Sequence, residues 1–202
     1  MGKKGRNQED KEVGDGGQTA PRQQFSDMIQ QDRDSHRVAR VSLVLYQPEI
    51  PGNTGTLMRL AACWGAELML IGPLGFVWSD RHLKRARMDY ATCAACPFYD
   101  SWSDYVDSHH RIPQADRGGM RPTQQRMIAV VPLEGVSYTK FAFTPGDHLI
   151  MGSESCGLPR QVINQCHEVV HIPMRATARS LNLAIASAIV WSEALRQTNC
   201  LD

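Results

Sequence analysis

Three short stretches carry the residue types that could do chemistry. The first is Pro48-Glu49-Ile50-Pro51-Gly52-Asn53-Thr54-Gly55, followed shortly by Arg59. The second is Gly152-Ser153-Glu154-Ser155-Cys156-Gly157-Leu158-Pro159, which breaks the apolar run Leu149-Ile150-Met151. The third is Ile172-Pro173-Met174, then a polar loop through Arg179, then Ser180-Leu181-Asn182-Leu183 at the start of an apolar helix. A strand that ends in a glycine turn leaves backbone N–H groups free to approach a ligand closely. Asn53 and Ser180 offer a carboxamide and a hydroxyl, which can hold another hydroxyl by hydrogen bonds. Arg59 offers a charge that is not lost, because guanidinium does not deprotonate in proteins. Such a set can bind and orient a polar ligand. It does not suit dinucleotide redox chemistry, because Pro51-Gly52-Asn53-Thr54-Gly55 is not a Gly-x-Gly-x-x-Gly turn.

Each residue also has a bland reading. Asn53 can cap a helix, Arg59 can be a solvated helix residue, and Glu154 can decorate a turn. Leu181 to Leu195 at helical spacing can be core or a dimer interface. Cys93 and Cys96 have the spacing of half a zinc site, but adjacent His109-His110 does not fit the usual ligand spacing and there is no second cysteine pair. No metal is expected.

The elements that must position these residues are readable. Val41 to Tyr46 is a β-rich run, hence a strand stopped by Pro48 and Pro51. Asn53-Thr54 can cap a helix through Cys63, with Gly65 as its stop. Leu68 to Ile71 reads as a second buried strand, Phe98 to Val106 as the start of a helix, and Arg111 to Gln125 as a loop. Met127 to Val131 and His148 to Met151 read as further strands. Ser79-Asp80 can cap a helix bearing Arg81, Lys84, Arg85 and Arg87, a solvated face or a contact for a phosphate backbone. Ser180 suits the N-cap of the last helix, which ends near Gln197. The β-loop-α-β order predicts a parallel sheet with helices on both faces. Turns that follow its strands place a site at the carboxyl ends.

Composition sets bounds. The chain has 202 residues and a formal net charge of +1, so no global basic field announces a nucleic-acid partner. Residues 1–38 are polar, with almost no aliphatic side chains before Phe25, and cannot offset the entropy of ordering; they read as a disordered tail ahead of a domain spanning 39–202. The scattered cysteines read as reduced thiols of a cytoplasmic protein. No apolar run reaches membrane-spanning length. The N-terminus has neither an apolar secretory core nor the Ser or Thr that myristoylation needs.

Taken together and in order, the three stretches resemble the SPOUT superfamily, and within it the TrmL-type tRNA wobble-position ribose 2′-O-methyltransferases. Gly75-Phe76-Val77-Trp78-Ser79-Asp80 and Leu83-Lys84-Arg85-Ala86-Arg87-Met88-Asp89-Tyr90 add to the likeness, which covers roughly residues 41–199. The resemblance implies an α/β fold whose C-terminal segment threads a deep trefoil knot. It implies S-adenosylmethionine as cofactor and a homodimer whose active sites combine both subunits. It implies methylation of the wobble 2′-hydroxyl in the tRNA anticodon stem-loop, typically of leucine isoacceptors. Carried over by residue, it places Asn53, Arg59, Glu154, Ser180 and Asn182 at the reacting centre. It places Val131, Leu133, Gly152, Glu154, Gly157, Leu158, Ile172, Met174, Ser180 and Leu181 around the cofactor. Where the family often has a Thr-Thr-Lys-Gly-like turn, this chain has Val131-Pro132-Leu133-Glu134-Gly135. A ribose methyltransferase acting elsewhere on tRNA or on ribosomal RNA, and an RNA-binding protein without catalysis, are the alternatives.

Overall fold

Short runs of aliphatic residues form the strands, because such side chains pack well on a pleated sheet buried on both faces. The structure, a computed structural model, describes residues 40–77, 96–109 and 125–201. The N-terminal tail, the basic stretch Arg81 to Arg87, Cys93 and nearly all of the 111–125 loop therefore lie outside the described residues. In chain order the strands are β1 (Ser42–Tyr46), β2 (Leu68–Ile71), β3 (Phe98–Tyr99), β4 (Met127–Val130), β5 (Val136–Ser137), β6 (His148–Met151) and β7 (Glu168–His171). The helices are α1 (Pro51–Trp64), α2 (Trp102–His109), α3 (Arg160–Ile163) and α4 (Leu183–Gln197).

One sheet results, in the order β3-β2-β1-β6-β4-β7-β5. Every pairing is parallel. The register opposes Leu45 to Met151 and Val130 to both Met151 and Val170. The loops after β1, β6, β4 and β7 therefore all leave from one edge. Side chains alternate between two cores. Leu43, Leu45, Leu149 and Val170 pack with Leu57 of α1 and with Val190, Trp191 and Leu195 of α4. Val44, Met69, Ala129 and Ile150 pack with Tyr105 of α2 and Val162 of α3. Helices thus cover both faces, as the β-loop-α-β order predicts.

Several boundaries differ from the sequence expectation. Phe98-Tyr99 is a short edge strand, and the helix begins at Trp102. α1 starts at Pro51 with Ile50 in the cap position and no side-chain cap, so Asn53 and Thr54 lie inside its first turn rather than capping it. Proline tolerates that start because its missing N–H would have had no intrahelical partner. The stop is as expected: Gly65 adopts φ 57°, in the left-handed region. The cap of α4 is Asn182 and not Ser180; its side chain accepts from Ala184 N and Ile185 N. A carboxamide oxygen two residues nearer the helix satisfies N–H groups that Ser180 lies too far upstream to serve.

α1 and α4 meet side by side. Trp64 and Trp191 form an edge-to-face pair with centroids 5.5 Å apart. Trp191 is fully buried and donates its indole N–H to Val41 O at 2.9 Å. The far end of α4 is tied down by Gln197, which accepts from Phe143 N and donates to Phe141 O.

Candidate active site

The carboxyl edge of the sheet brings the three motif loops together, and a chain of side-chain hydrogen bonds joins them. Glu154 Oε2 accepts from Glu49 N at 2.7 Å, and Oε1 accepts from Ile50 N at 3.2 Å and from Asn53 Nδ2 at 2.9 Å. Asn53 Oδ1 accepts from Asn182 Nδ2 at 2.9 Å. Asn182 Oδ1 in turn accepts from Ala184 N at 2.9 Å and Ile185 N at 3.2 Å.

This chain has a fixed polarity. An ionised carboxylate only accepts, so Asn53 must present its NH₂ to Glu154. Its oxygen is then left for the NH₂ of Asn182, whose own oxygen is left for the helix N-terminus. Reversing either amide would set donor against donor. Asn53 is 8% exposed, so an unmatched amide there would carry a desolvation cost. The network therefore fixes one mutual placement of the β1–α1 loop, the 152–158 loop and the start of α4.

The loop glycines have separate geometric reasons. A Cβ on Gly152 would stand 2.1 Å from Gly157 C and 2.3 Å from Leu158 N, so only glycine allows the loop to fold back on itself. The fold-back is closed by Ser153 and Gly157, which exchange N–H···O bonds of 3.2 and 2.9 Å. Gly157 adopts φ 67°, and the space where its Cβ would be is open. Gly135, with φ 77°, lets the 131–135 loop pass against Val169, where a Cβ would lie 2.0 Å from the carbonyl oxygen.

The remaining candidates surround this framework. Leu158 and Val131 are buried beneath it. Leu133 is 61% exposed in a left-handed conformation, φ 62°. Ile172 and Met174 are half-buried, and Ser180 and Leu181 are exposed. Glu134 binds Arg160 through two bonds of 2.8 and 3.1 Å, which links the 131–135 loop to α3. Arg59 is not gathered with Asn53. It is exposed, and six residues along an α-helix turn it by about 240° from Asn53 and carry it about 9 Å along the axis.

Glu49 has a place in the site that its sequence context did not announce. Its carboxylate accepts from Ser155 Oγ at 2.6 Å and from Ser155 N at 3.1 Å. Only its position between two prolines that end a strand could have hinted that its backbone and side chain face a loop a hundred residues away.

Among the described residues no cluster of three or more His, Cys, Asp or Glu side chains could hold a metal. Cys96 donates its thiol to Leu68 O at 2.9 Å.

Comparison with known proteins agrees with this geometry. Residues 40–192 match the SpoU rRNA Methylase family. A tRNA (cytidine(34)-2'-O)-methyltransferase of Beijerinckia indica is 43% identical over 159 residues, covering 79% of this chain and 92% of that protein. A solved structure concerned with 2-OH methylation of C/U34 on tRNA has a TM-score of 0.67 and 38% identity, covering 79% of this chain and 96% of that one. The SpoU methyltransferase AviRb from Streptomyces viridochromogenes, in complex with AdoMet, has a TM-score of 0.65 and 26% identity, covering 82% of this chain and 63% of that one. The three motif loops, the parallel sheet that gathers them and the match across most of the chain identify it as a member of the SpoU methylase family.

Proposed function

We propose that this chain methylates the ribose 2′-hydroxyl of the wobble nucleotide of tRNA, cytidine or modified uridine, with S-adenosylmethionine as donor. The carrying observation is the Asn182–Asn53–Glu154 chain, which locks all three motif loops at one edge of the sheet. The Beijerinckia relative bears that activity in its name.

The residues present fit the cofactor. The open space at Gly157 and the free edge of its loop suit a ligand that approaches backbone closely. Leu133, Ile172, Met174 and Leu181, with buried Val131 and Leu158, offer apolar side chains suited to an adenine ring and a thioether. Gly152, Glu154 and Ser180 complete the set. When bound, S-adenosylmethionine supplies an electrophilic methyl group on a sulfonium.

The protein's task is mainly placement, since bringing a nucleophile into line removes much of the barrier. Glu154, Asn53 and Asn182 act by holding the loops. Ser180, on the exposed strap before α4, hydrogen-bonds the hydroxyl. Arg59 serves as a fixed cation that stabilises the developing alkoxide or docks the adjacent phosphate, and the proton leaves to phosphate or water. The resemblance implies active sites that combine both subunits, and in that arrangement Arg59 serves the site of a second copy. Exposed Ile50, Leu181 and Ile185 flank the network and form part of that homodimer contact. Trp191, within the Leu181 to Leu195 run read as core or dimer interface, is buried within its own chain and belongs to the core.

The C-terminal segment threads a deep trefoil knot. Support comes from β7 lying between β4 and β5 while α4 returns to α1 and is bonded at Gln197 to the β5–β6 connection. The substrate is the anticodon stem-loop of leucine tRNAs, and the enzyme works in the cytoplasm. Mass spectrometry of wobble nucleosides from a strain lacking the gene tests the reading. Loss of 2′-O-methylation at that position, restored by complementation, is expected; unchanged modification would overturn it.

A further inference from the structure

We infer that Glu49 is a positioning residue that braces the 152–158 loop for cofactor binding. This rests on the reading that the loop holds S-adenosylmethionine. Glu49 and Glu154 form a reciprocal clamp. The backbone N–H of Glu49 donates to the Glu154 carboxylate, and the Glu49 carboxylate accepts from both the N–H and the hydroxyl of Ser155. Two neighbouring links of opposite direction resist sliding of one loop over the other, which a single bond would not. Glu49 is also held from behind. Gly75 N donates to Pro48 O at 3.0 Å, and a Cβ on Gly75 would stand 2.8 Å from Glu49 Cα and 3.0 Å from Glu49 Cγ. The glycine gives the Glu49 side chain just enough room and leaves it little freedom to swing away from Ser155.

Glu154 already fixes the first loop and α1. The stretch just beyond it, Ser155 to Gly157, has its own internal bonds, and Glu49 is the residue that ties it to the β1 side. A charge-assisted bond is stronger than a neutral one but is weakened by exposure to water.

Calorimetric titration of the full-length protein with S-adenosylmethionine and with S-adenosylhomocysteine, beside its thermal midpoint without ligand, is the test. For Glu49→Ala both dissociation constants rise about five- to tenfold. Glu49→Gln recovers most of that loss, because its amide oxygen accepts from Ser155 N and its NH₂ donates to Ser155 Oγ. The KM for cofactor rises with the dissociation constant, while kcat falls by about threefold or less. Ser155→Ala weakens binding in the same direction, and adding it to Glu49→Ala adds little. Should Glu49→Ala fail to fold, Glu49→Gln and Ser155→Ala carry the test. Unchanged affinity in Glu49→Ala with a lowered thermal midpoint would make Glu49 merely structural and overturn the inference. So would a glutamine variant as weak as the alanine one. Wild-type protein that binds neither compound would instead overturn the cofactor site itself, and the inference with it.

Discussion

Arg59 and Asn53 sit on one helix but do different work. Asn53 is spent inside the chain, with both ends of its carboxamide bonded, whereas Arg59 is exposed. If Arg59 is a fixed cation, Arg59→Ala removes methyl transfer, costing about 3 kcal/mol in the transition state, and leaves cofactor affinity nearly intact. Arg59→Lys recovers part of the rate with the wild-type pH profile, since charge survives although the planar fork is lost. A general base would behave otherwise: a lysine variant would recover only at high pH, where its amine deprotonates. Single-turnover rates of both variants across pH separate the two. The loops that carry Asn53, Glu154 and Asn182 were each legible, because glycines and prolines mark them. Their order of donation was not legible, because polarity emerges only when residues far apart in sequence meet. Glu49 was missed for the same reason: its partner is Ser155, and no local pattern points there.

At the scale of elements, most strands were legible because buried parallel strands read as unbroken aliphatic runs. β3, β5, β7 and α3 were not: β3, β5 and α3 are too short to show a period, and β7, Glu168-Val169-Val170-His171, has only two aliphatic residues between polar ends. Asn182 links element to site, since it caps α4 and orients Asn53. Asn182→Ala should cost about 1 kcal/mol as a lost cap and should also lower cofactor affinity, read by denaturation and calorimetry together. α2 makes a separate pH prediction. Burial pushes the His109 imidazole below its ordinary 6.5, outweighing the Glu67 charge and the Gln125 bond that raise it. Its ring nitrogen lies 2.6 Å from Tyr99 Oη, and Tyr105 Oη lies 2.6 Å from His148 Nδ1 beside it. Burial likewise pushes the Tyr105 hydroxyl well up, so it stays protonated. A histidine whose folded value is depressed binds fewer protons folded than unfolded, so stability rises with pH. The contribution is intact above His109's ordinary 6.5 and is lost as pH falls through the lower folded value. Denaturation midpoints of wild type and His109→Phe between neutral and mildly acidic pH check this; the variant's curve should be flatter.

Among the described residues the carboxyl edge of the sheet gathers the three motif loops, and α1 and α4 pack together on one face of that sheet. The tail before Arg40 supplies no apolar face. A truncation starting near Val38 should fold and bind cofactor as the full chain does, by thermal melting and calorimetry. The proposed knot rests on the family resemblance, because threading is a property of the whole path and leaves no local pattern. For the proposed homodimer, sedimentation at micromolar concentration should give a dimer, and a monomer there would contradict it. The proposed methyl acceptor is one chemical group on one nucleotide, the 2′-hydroxyl at the wobble position. The direct test supplies purified protein and labelled S-adenosylmethionine with a leucine tRNA, and with the same tRNA carrying a single 2′-deoxynucleotide at the wobble position. Transfer to the first tRNA and none to the second is the predicted result. Equal transfer to both, or to neither, would contradict the account.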